Sequence, residues 1–119
     1  MSGDWIEIRG LEVRARIGIT EAERAEPQRL LLDVRFEPLR SFANMPDEIA
    51  ATVDYAAVAG RLKALAAERS HKLIEILADE AAREVLREFA VRRVQVTVRK
   101  FILPDTEHVA VRCERQRNH

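Results

Sequence analysis

Cysteine is almost absent from this chain of 119 residues, since Cys113 is the only one. A single cysteine excludes a disulfide framework and a thiolate-rich metal site. Glycine and proline are also scarce, with four residues each, and no glycine-rich phosphate loop occurs. No apolar run approaches the roughly 18 residues of a membrane helix, and the first residues lack the basic and apolar regions of a signal peptide. These absences favour a cytoplasmic protein that does not act at a membrane.

An excess of charge of either sign is also lacking. The chain has 20 Lys and Arg and 20 Asp and Glu, so its formal net charge is 0. A neutral chain lacks the basic surface that nucleic-acid binding requires, which disfavours DNA or RNA as a partner. The three histidines have no partners at metal-ligand spacing, so we expect no metal site. The composition, 47% apolar and 34% charged, and the length fit one globular domain over residues 1–119.

Alternating apolar and polar residues predict two strands in the first third of the chain. The alternation extends over residues 5–17, with a kink or bulge at Gly10, and again over residues 28–38. Between them, residues 19–27 are acidic and end in proline, which predicts a loop with about one helical turn. Residues 41–52 contain Asn, Pro and Asp and predict a connection.

Two amphipathic helices are predicted next. The first covers residues 55 to about 69, with Asp54 or Thr52 as its N-cap. Residues 70–72 break the pattern, and a second helix covers residues 73 to about 89. Both helices have an apolar stripe wide enough to pack against a sheet.

Two further strands complete the predicted fold. Valines alternate with polar residues over 94–98, and the alternation returns over 109–113. The folded core then covers about residues 5–115, and residues 116–119 are predicted to be a frayed tail. The order β-β-α-α-β-β, with one apolar face on each strand, predicts a four-stranded antiparallel sheet with two helices on one face, a two-layer α+β domain.

The face of the sheet that the helices leave uncovered is predicted to be charged. It carries Glu12, Arg14, Arg16, Arg29, Asp33, Arg35, Thr97, Arg99 and Arg112. Such a face can lie in water or line a wet lumen, and the open edge strands invite pairing with another subunit. The sequence therefore permits a homo-oligomer.

Lys100 and Glu75 depart from a purely structural pattern. Lys100 continues the parity of the valines before it, and it is one of three lysines beside seventeen arginines, which indicates a use for a titratable ammonium. The structural alternative is a strand-end lysine with its amine in solvent. Glu75 lies among Leu and Ile in the first turn of the second helix, where a carboxylate can accept two parallel N–H donors. The alternative is an acid that the helix dipole favours.

Tyr55, Glu23 and Cys113 give weaker signals. Tyr55 is the only tyrosine and stands at the start of the first helix, where it can pack with its hydroxyl at the surface or serve in a site. Glu23 lies in the loop after Gly18, where a solvated acid is the ordinary interpretation. Cys113 falls on an apolar strand face, which favours a core position over a nucleophile.

Four short motifs, in this order and spacing, resemble the dihydroneopterin aldolase family and the closely related dihydroneopterin triphosphate epimerases. The motifs are Ile17-Gly-Ile19 followed by Glu23, Thr52-Val-Asp-Tyr55, Leu73-Ile-Glu-Ile-Leu-Ala78 and Val98-Arg-Lys100. The resemblance covers about residues 5–115. It implies the T-fold, or tunnelling fold, in which four subunits typically close a barrel and two rings often stack into an octamer.

The resemblance also implies a pterin substrate, a site between subunits and a role for particular residues. It assigns catalysis to Lys100, Tyr55 and Glu23, and substrate binding to Glu75, Val53, Leu73 and Ile74. Members of the family release glycolaldehyde from 7,8-dihydroneopterin in folate synthesis. Because this substrate carries its own C=N at N5–C6, the lyase reaction requires no cofactor, no metal ion and no lysine Schiff base.

The implied roles follow that chemistry. Glu75 would grip the 2-amino and N3 edge of the pterin, and Lys100 would move protons near N5 and the side-chain hydroxyl. Tyr55 would bring a proton to C1′, and Glu23 would orient Lys100 or a water.

Two departures from the family pattern keep alternatives open. Lys100 is followed by Phe-Ile-Leu-Pro-Asp where many aldolases continue with proline, and the loop 18–24 lacks the aromatic residues that aldolases often have. Aldolase activity with some C2′ epimerisation is the leading interpretation. A triphosphate epimerase, which would use Arg24, Arg99 and His108 for its phosphates, is the enzyme alternative. A noncatalytic pterin- or purine-binding paralogue and an α+β interaction module unrelated to pterins are the others.

Overall fold

The structure, a computed structural model, describes residues 3–118. All the predicted strands and both predicted helices are present. The elements are β1 (Ile6–Ile17), α1 (Glu21–Arg24), β2 (Gln28–Pro38), α2 (Tyr55–Glu68), β3 (Ser70–His71), α3 (Ile74–Glu88), β4 (Val91–Lys100) and β5 (Val109–Gln116), with a 3₁₀ turn at Ile49–Ala51. The short helix α1 is the single turn expected in the loop between the first two strands.

The sheet corrects the predicted topology, because it has five strands and is mixed. Its strand order is β3-β1-β2-β4-β5, and the four long strands pair antiparallel, as expected. The fifth strand is β3, which pairs parallel to the end of β1 through Arg16 with Ser70 and Ile17 with His71. The prediction of a four-stranded antiparallel sheet in the order β-β-α-α-β-β was wrong here. A two-residue strand is too short to show any periodicity.

The helices α2 and α3 cover one face of this sheet. Helix α2 packs on β1, and α3 packs on β4 and β5. Alternate strand residues and the apolar stripes of both helices form one buried core, which includes Val13, Leu30, Phe36, Val58, Leu62, Leu77, Val85 and Val96. Each fully buried side chain of this size contributes about 1.5–3 kcal/mol. The α+β class and the one-sided packing predicted from the alternation are confirmed.

Gly10 interrupts β1 with the predicted bulge. The register with β2 shifts between Ile8 and Leu11, and Gly10 has a φ of +69°, a conformation that favours glycine. Its N–H donates to the Asp33 carboxylate at 2.8 Å. The Gly10 N–H therefore points toward the uncovered side of the sheet, where Asp33 lies.

That uncovered side, the open face, is lined with ion pairs. Arg29 lies 2.8 Å from Glu12, and Arg99 lies 2.7 Å from Asp33. The mixed charge predicted for this face is confirmed. No helix within residues 3–118 is long and apolar enough to cross a membrane.

Hydrogen bonds anchor the chain at the end of β5. Gln116 closes β5, and the backbone N–H of Arg117 donates to Arg92 O at 2.8 Å. The Arg117 guanidinium donates to Val91 O at 2.9 Å and to Phe89 O at 3.0 Å. The structure therefore has Gln116 within β5 and Arg117 hydrogen-bonded to backbone carbonyls, while the fraying of residues 116–119 stays a prediction. His119 lies outside the described residues.

Candidate active site

Lys100 is the last residue of β4 and lies on the helix-covered side of the sheet. It pairs with Leu30 of β2 and Val109 of β5, and its side chain is only 12% exposed. It shares this side with the fully buried Val96 and Val98. The Lys100 amine therefore lies at the edge of the core where β4 ends, on the side of the sheet that the strand alternation predicted.

Glu23 faces Lys100 from the helix α1. The Lys100 Nζ lies 3.7 Å from Glu23 Oε2. Helix α1 begins with a capping box, in which the Thr20 hydroxyl accepts from the Glu23 N–H at 3.1 Å. In return, Glu23 Oε1 accepts from the backbone N–H and the hydroxyl of Thr20, both at 3.4 Å. One carboxylate oxygen is held by the cap, and the other faces the lysine.

Gly18 makes room for this arrangement. Its φ is +152°, and a Cβ at this position would lie 2.3 Å from Glu23 Cβ and 2.7 Å from Glu23 Cδ. The Gly18 N–H donates to His71 O in β3 at 3.1 Å. A larger residue at position 18 would push the Glu23 side chain away from Lys100.

The electrostatics keep Glu23 ionised. The N–H of Thr20 holds the pKa of the Glu23 carboxyl below its usual range, and the positive charge of Lys100 adds to this lowering of the pKa against partial desolvation. At neutral pH the site therefore contains an ionised Glu23 carboxylate that faces the Lys100 side chain.

Arg24 and Gln28 hold the loop that carries Glu23. The Arg24 guanidinium donates to Gly18 O at 2.7 Å and to Ile19 O at 2.9 Å, and the Gln28 amide donates to Ile17 O at 2.5 Å. The sequence had suggested Arg24 only as a phosphate ligand, and Gln28 had given no signal. Their backbone contacts fix the loop before any ligand binds.

The start of α3 brings Leu73, Ile74 and Glu75 to the same end of the sheet, because β3 leads directly into this helix from beside β1. Ile74 is buried and Leu73 is 43% exposed. Glu75 is exposed in the first turn, and it makes no ion pair or side-chain hydrogen bond with any residue between 3 and 118. A first-turn carboxylate beside apolar side chains is thus open to a ligand.

Val53 and Tyr55 lie at the opposite end of the domain. Val53 lines a small cavity of about 200 Å³ with Pro38 and Ala90, and Asp54 caps α2 through the N–H groups of its first turn. Along β2, Pro38 is about 27 Å from the residue that pairs with Lys100, at roughly 3.4 Å per residue. One chain therefore does not bring Tyr55, which is 61% exposed, to Lys100.

Exposed apolar side chains gather at both ends. At the Lys100 end they are Ile19, Leu73, Ile76, Phe101, Ile102 and Leu103, and at the Tyr55 end they are Leu39, Phe42, Ile49 and Tyr55 itself. Apolar surface of this kind is typical of contact sites. Five of the seven candidate residues therefore lie at the Lys100 end and two at the Tyr55 end, and each end has a surface suited to a partner.

The three phosphate-ligand candidates are mostly engaged elsewhere. Arg24 is bound to loop carbonyls, as described above, and Arg99 lies on the open face in its pair with Asp33. His108 packs edge-on against Phe101, with ring centroids 6.1 Å apart. Of these three candidates, only His108 remains available to a phosphate group at the Lys100 end.

Cys113 and the metal-ligand residues do not form a second site. Cys113 is half-buried against the core, and burial raises the pKa of its thiol, as expected for a packing residue. Within residues 3–118, no group of three or more His, Cys, Asp or Glu side chains is arranged to hold a metal ion.

Comparison with known proteins identifies the family. The FolB dihydroneopterin aldolase family matches residues 6–114. A dihydroneopterin aldolase of Streptomyces coelicolor is 32% identical over 103 residues, which cover 87% of each chain. The E. coli dihydroneopterin aldolase, solved with neopterin, superposes with a TM-score of 0.87 at 25% identity, covering 94% of this chain and 98% of that one. A dihydroneopterin aldolase from Burkholderia thailendensis, solved with guanine, has a TM-score of 0.78 at 29% identity, covering 97% and 92%. This chain belongs to the FolB family of dihydroneopterin aldolases.

Proposed function

We propose that this chain cleaves 7,8-dihydroneopterin by a retro-aldol reaction to 6-hydroxymethyl-7,8-dihydropterin and glycolaldehyde, a step of folate synthesis. The observation that carries the proposal is the Lys100–Glu23 pair at 3.7 Å, at the same end of the sheet as the unengaged carboxylate of Glu75. The family membership supports it independently. The cytoplasmic location expected from the sequence stays a prediction.

Glu75 is the proposed anchor for the pterin ring. Neopterin and guanine, the ligands in two of the similar structures, share a 2-amino-4-oxopyrimidine edge with two parallel N–H donors. A carboxylate can accept both donors at once in a charge-assisted, bidentate pair. Leu73 and Ile74 from this chain, with Val53, would supply the apolar walls that exclude water from that pair.

Lys100 and Glu23 are the proposed proton-transfer pair. In the reaction a base removes the 2′-hydroxyl proton, the C1′–C2′ bond breaks, and glycolaldehyde leaves with a new C=O. The bonding electrons pass through C6 to N5, which gains a proton. The resulting enamine is then protonated at C1′, for which Tyr55 is the proposed donor, and N5 loses its proton again. A lysine held by a carboxylate can give and take these protons in turn.

The complete site requires two chains. Val53 lies beside Pro38, which is about 27 Å along β2 from the residue that pairs with Lys100, at a rise of roughly 3.4 Å per residue, so Val53 and the nearby Tyr55 would come from a neighbouring subunit. The apolar surfaces at both ends would then be covered by each other. Four such contacts would close the barrel of the T-fold, and two rings would give an octamer.

The substrate is proposed to be unphosphorylated. An epimerase acting on the triphosphate needs several cations at the pocket mouth, but Arg24 is bound to Gly18 O and Ile19 O, and Arg99 lies on the opposite side of the sheet from Lys100. The structure thus favours the aldolase over the triphosphate epimerase. Some epimerisation at C2′ would accompany cleavage, since the aldehyde can add back to either face.

A turnover assay on 7,8-dihydroneopterin tests the proposal. We expect glycolaldehyde and 6-hydroxymethyl-7,8-dihydropterin in equal amounts, with little monapterin, and no turnover of the triphosphate. EDTA should leave the rate unchanged, and borohydride should trap no adduct on Lys100. Monapterin triphosphate as the main product would establish the epimerase instead. Tight pterin binding without turnover would establish a noncatalytic paralogue.

A further inference from the structure

The open face of the sheet contains a cavity of about 250 Å³ that the proposed reaction does not use. Its polar lining includes Glu7, Arg9, Asp33, Arg35, Thr97 and Arg112. Thr97 has the opposite parity to Lys100 on β4, so the cavity and the ammonium lie on opposite sides of the sheet. The cavity is below the roughly 300–1,000 Å³ of pockets for drug-sized ligands and suits a smaller molecule.

The carboxylates in this cavity already have partners. Asp33 accepts from the Arg99 guanidinium at 2.7 Å and from the Gly10 N–H at 2.8 Å. Glu7 lies 3.5 Å from the guanidinium of Arg35. Both negative charges are therefore already compensated by groups of the same chain. The other cations of the cavity then have no carboxylate left to pair with.

Those other cations are Arg9 and Arg112. Neither forms an ion pair with any residue in the described range 3–118, and Arg112 uses only its Nε, which donates to the Thr97 hydroxyl at 3.3 Å. An oxyanion between Arg9 and Arg112 would supply the missing counterion and accept from the N–H groups that these two side chains leave free.

The fold aims the two free guanidinium groups at one volume. Arg9 comes from β1 beside the Gly10 bulge and follows Ile8, which packs against the core, so strand alternation places the Arg9 side chain on the open face. Arg112 comes from β5, which lies three strand spacings, about 14 Å, away across the sheet. Long side chains from these two flanking strands converge over β2 and β4, where Thr97 offers a hydroxyl.

We propose that this cavity binds a phosphate-type oxyanion between Arg9 and Arg112, with the Thr97 hydroxyl as a third donor. The planar fork of a guanidinium matches two oxygens of such an anion, and the two forks give the site its selectivity over chloride. The proposal rests on residues of one chain and is independent of the proposed aldolase activity.

Calorimetric titration of the full chain with inorganic pyrophosphate at low ionic strength tests the site. The wild type should bind at millimolar concentration or below, and Arg9→Gln and Arg112→Gln should each weaken binding about tenfold or more. Arg112→Lys should retain part of the affinity. Arg14→Gln is the matched control, since Arg14 lies on the same strand as Arg9 but pairs with Glu12 outside the cavity, and its affinity should change less than twofold.

An absence of pyrophosphate binding by the folded wild type would overturn the proposal. Equal weakening by Arg14→Gln and Arg112→Gln would also overturn it, because it would show diffuse attraction rather than a site. A parallel titration with ATP separates the sources of phosphate: similar affinities show that phosphate alone is recognised, whereas binding of ATP only contradicts the oxyanion site. Turnover by Arg112→Gln should equal that of the wild type, which separates this test from that of the aldolase.

Discussion

The Glu23 carboxylate divides its two oxygens between Thr20 and Lys100. Oxygen Oε1 accepts from Thr20 at 3.4 Å, and Oε2 lies 3.7 Å from the Lys100 ammonium. The cap of a single helical turn therefore sets the position of the anion that accompanies the proposed catalytic lysine. An exposed carboxylate on a loop would otherwise sample many rotamers.

Glu23→Gln tests whether that anion matters for the reaction. The amide keeps the shape of the side chain but removes the negative charge beside Lys100, so we expect kcat to fall about tenfold or more, with a smaller change in KM. Glu21→Gln is the matched control, because Glu21 lies on the same helical turn and forms no ion pair or side-chain hydrogen bond with any residue between 3 and 118. Steady-state kinetics of both variants decide the point, and an unchanged kcat in Glu23→Gln would remove Glu23 from the mechanism.

Lys100→Ala should lower kcat by about 10²–10⁴-fold, the usual effect of losing a proton-transfer group. Lys100→Arg should not restore the rate, since a guanidinium stays protonated near neutral pH and cannot cycle a proton. Single-turnover measurements with saturating substrate give the chemical step directly. A near-normal rate in Lys100→Arg would show that Lys100 contributes only its positive charge and transfers no proton.

Glu75→Ala should weaken binding of substrate and product alike, because the ring edge that it is proposed to hold is unchanged by the reaction. Loss of a charge-assisted pair predicts an affinity lower by a factor on the order of a hundred. Fluorescence titration with the product measures this without turnover. Glu80→Ala, on the same helix but paired with His71 at 2.6 Å, is the control and should bind product normally. Normal product binding by Glu75→Ala would refute the anchor.

The buried carboxylate of Glu84 leads us to expect that the free energy of unfolding depends on pH. This carboxylate is 7% exposed between α2 and α3 and is bound by Arg61 and Arg87. Burial works to raise its pKa, but the hydrogen bonds from the two arginines outweigh burial, so the pKa lies below its usual range. A carboxyl whose pKa is lower in the folded state stabilises the protein fully above its unfolded pKa, about 4.3, and this contribution is lost as the pH falls through the folded pKa.

Chemical denaturation of Glu84→Gln measures that contribution. The variant should be less stable by about 1–3 kcal/mol at pH 7, the penalty for leaving charged donors imperfectly paired, and the difference from wild type should shrink below about pH 4. Glu88→Gln, at the exposed end of the same helix, should change stability little at either pH. A difference that stays constant down to pH 3 would contradict the assignment.

The long strands and the two long helices could be predicted from the sequence because the apolar periodicity of each one is contained within its own residues. The alternation in β1 with its bulge at Gly10, the N-cap at Asp54 and the one-sided core all follow from rules that act over a few residues. Strand β3 and the anchoring of Arg117 could not be predicted, since each depends on a partner that is remote in the chain. Both are products of tertiary contact.

The candidate site was also only partly predictable from the sequence. Strand parity alone placed Lys100 on the covered side of the sheet, where the structure has it. Its pairing with Glu23 depends on the room at Gly18, which no pattern in the loop indicates. The family resemblance assigned Tyr55 to the site, but the structure was needed to show that Tyr55 and Lys100 of one chain lie at opposite ends of the domain.

We expect Lys100 and Tyr55 to act together only across a contact between two subunits. The most direct measurement mixes two inactive variants, Lys100→Ala and Tyr55→Phe, by co-refolding at equal amounts and records turnover. Random assembly should place both native side chains together in about a quarter of the sites, so activity should return to about a quarter of the wild-type value. Lys100→Ala mixed with Glu75→Ala, whose changes lie at the same end of the domain, should show no turnover beyond that of the two variants refolded separately. No recovery in the first mixture, from oligomers shown to contain both variants, would contradict the account.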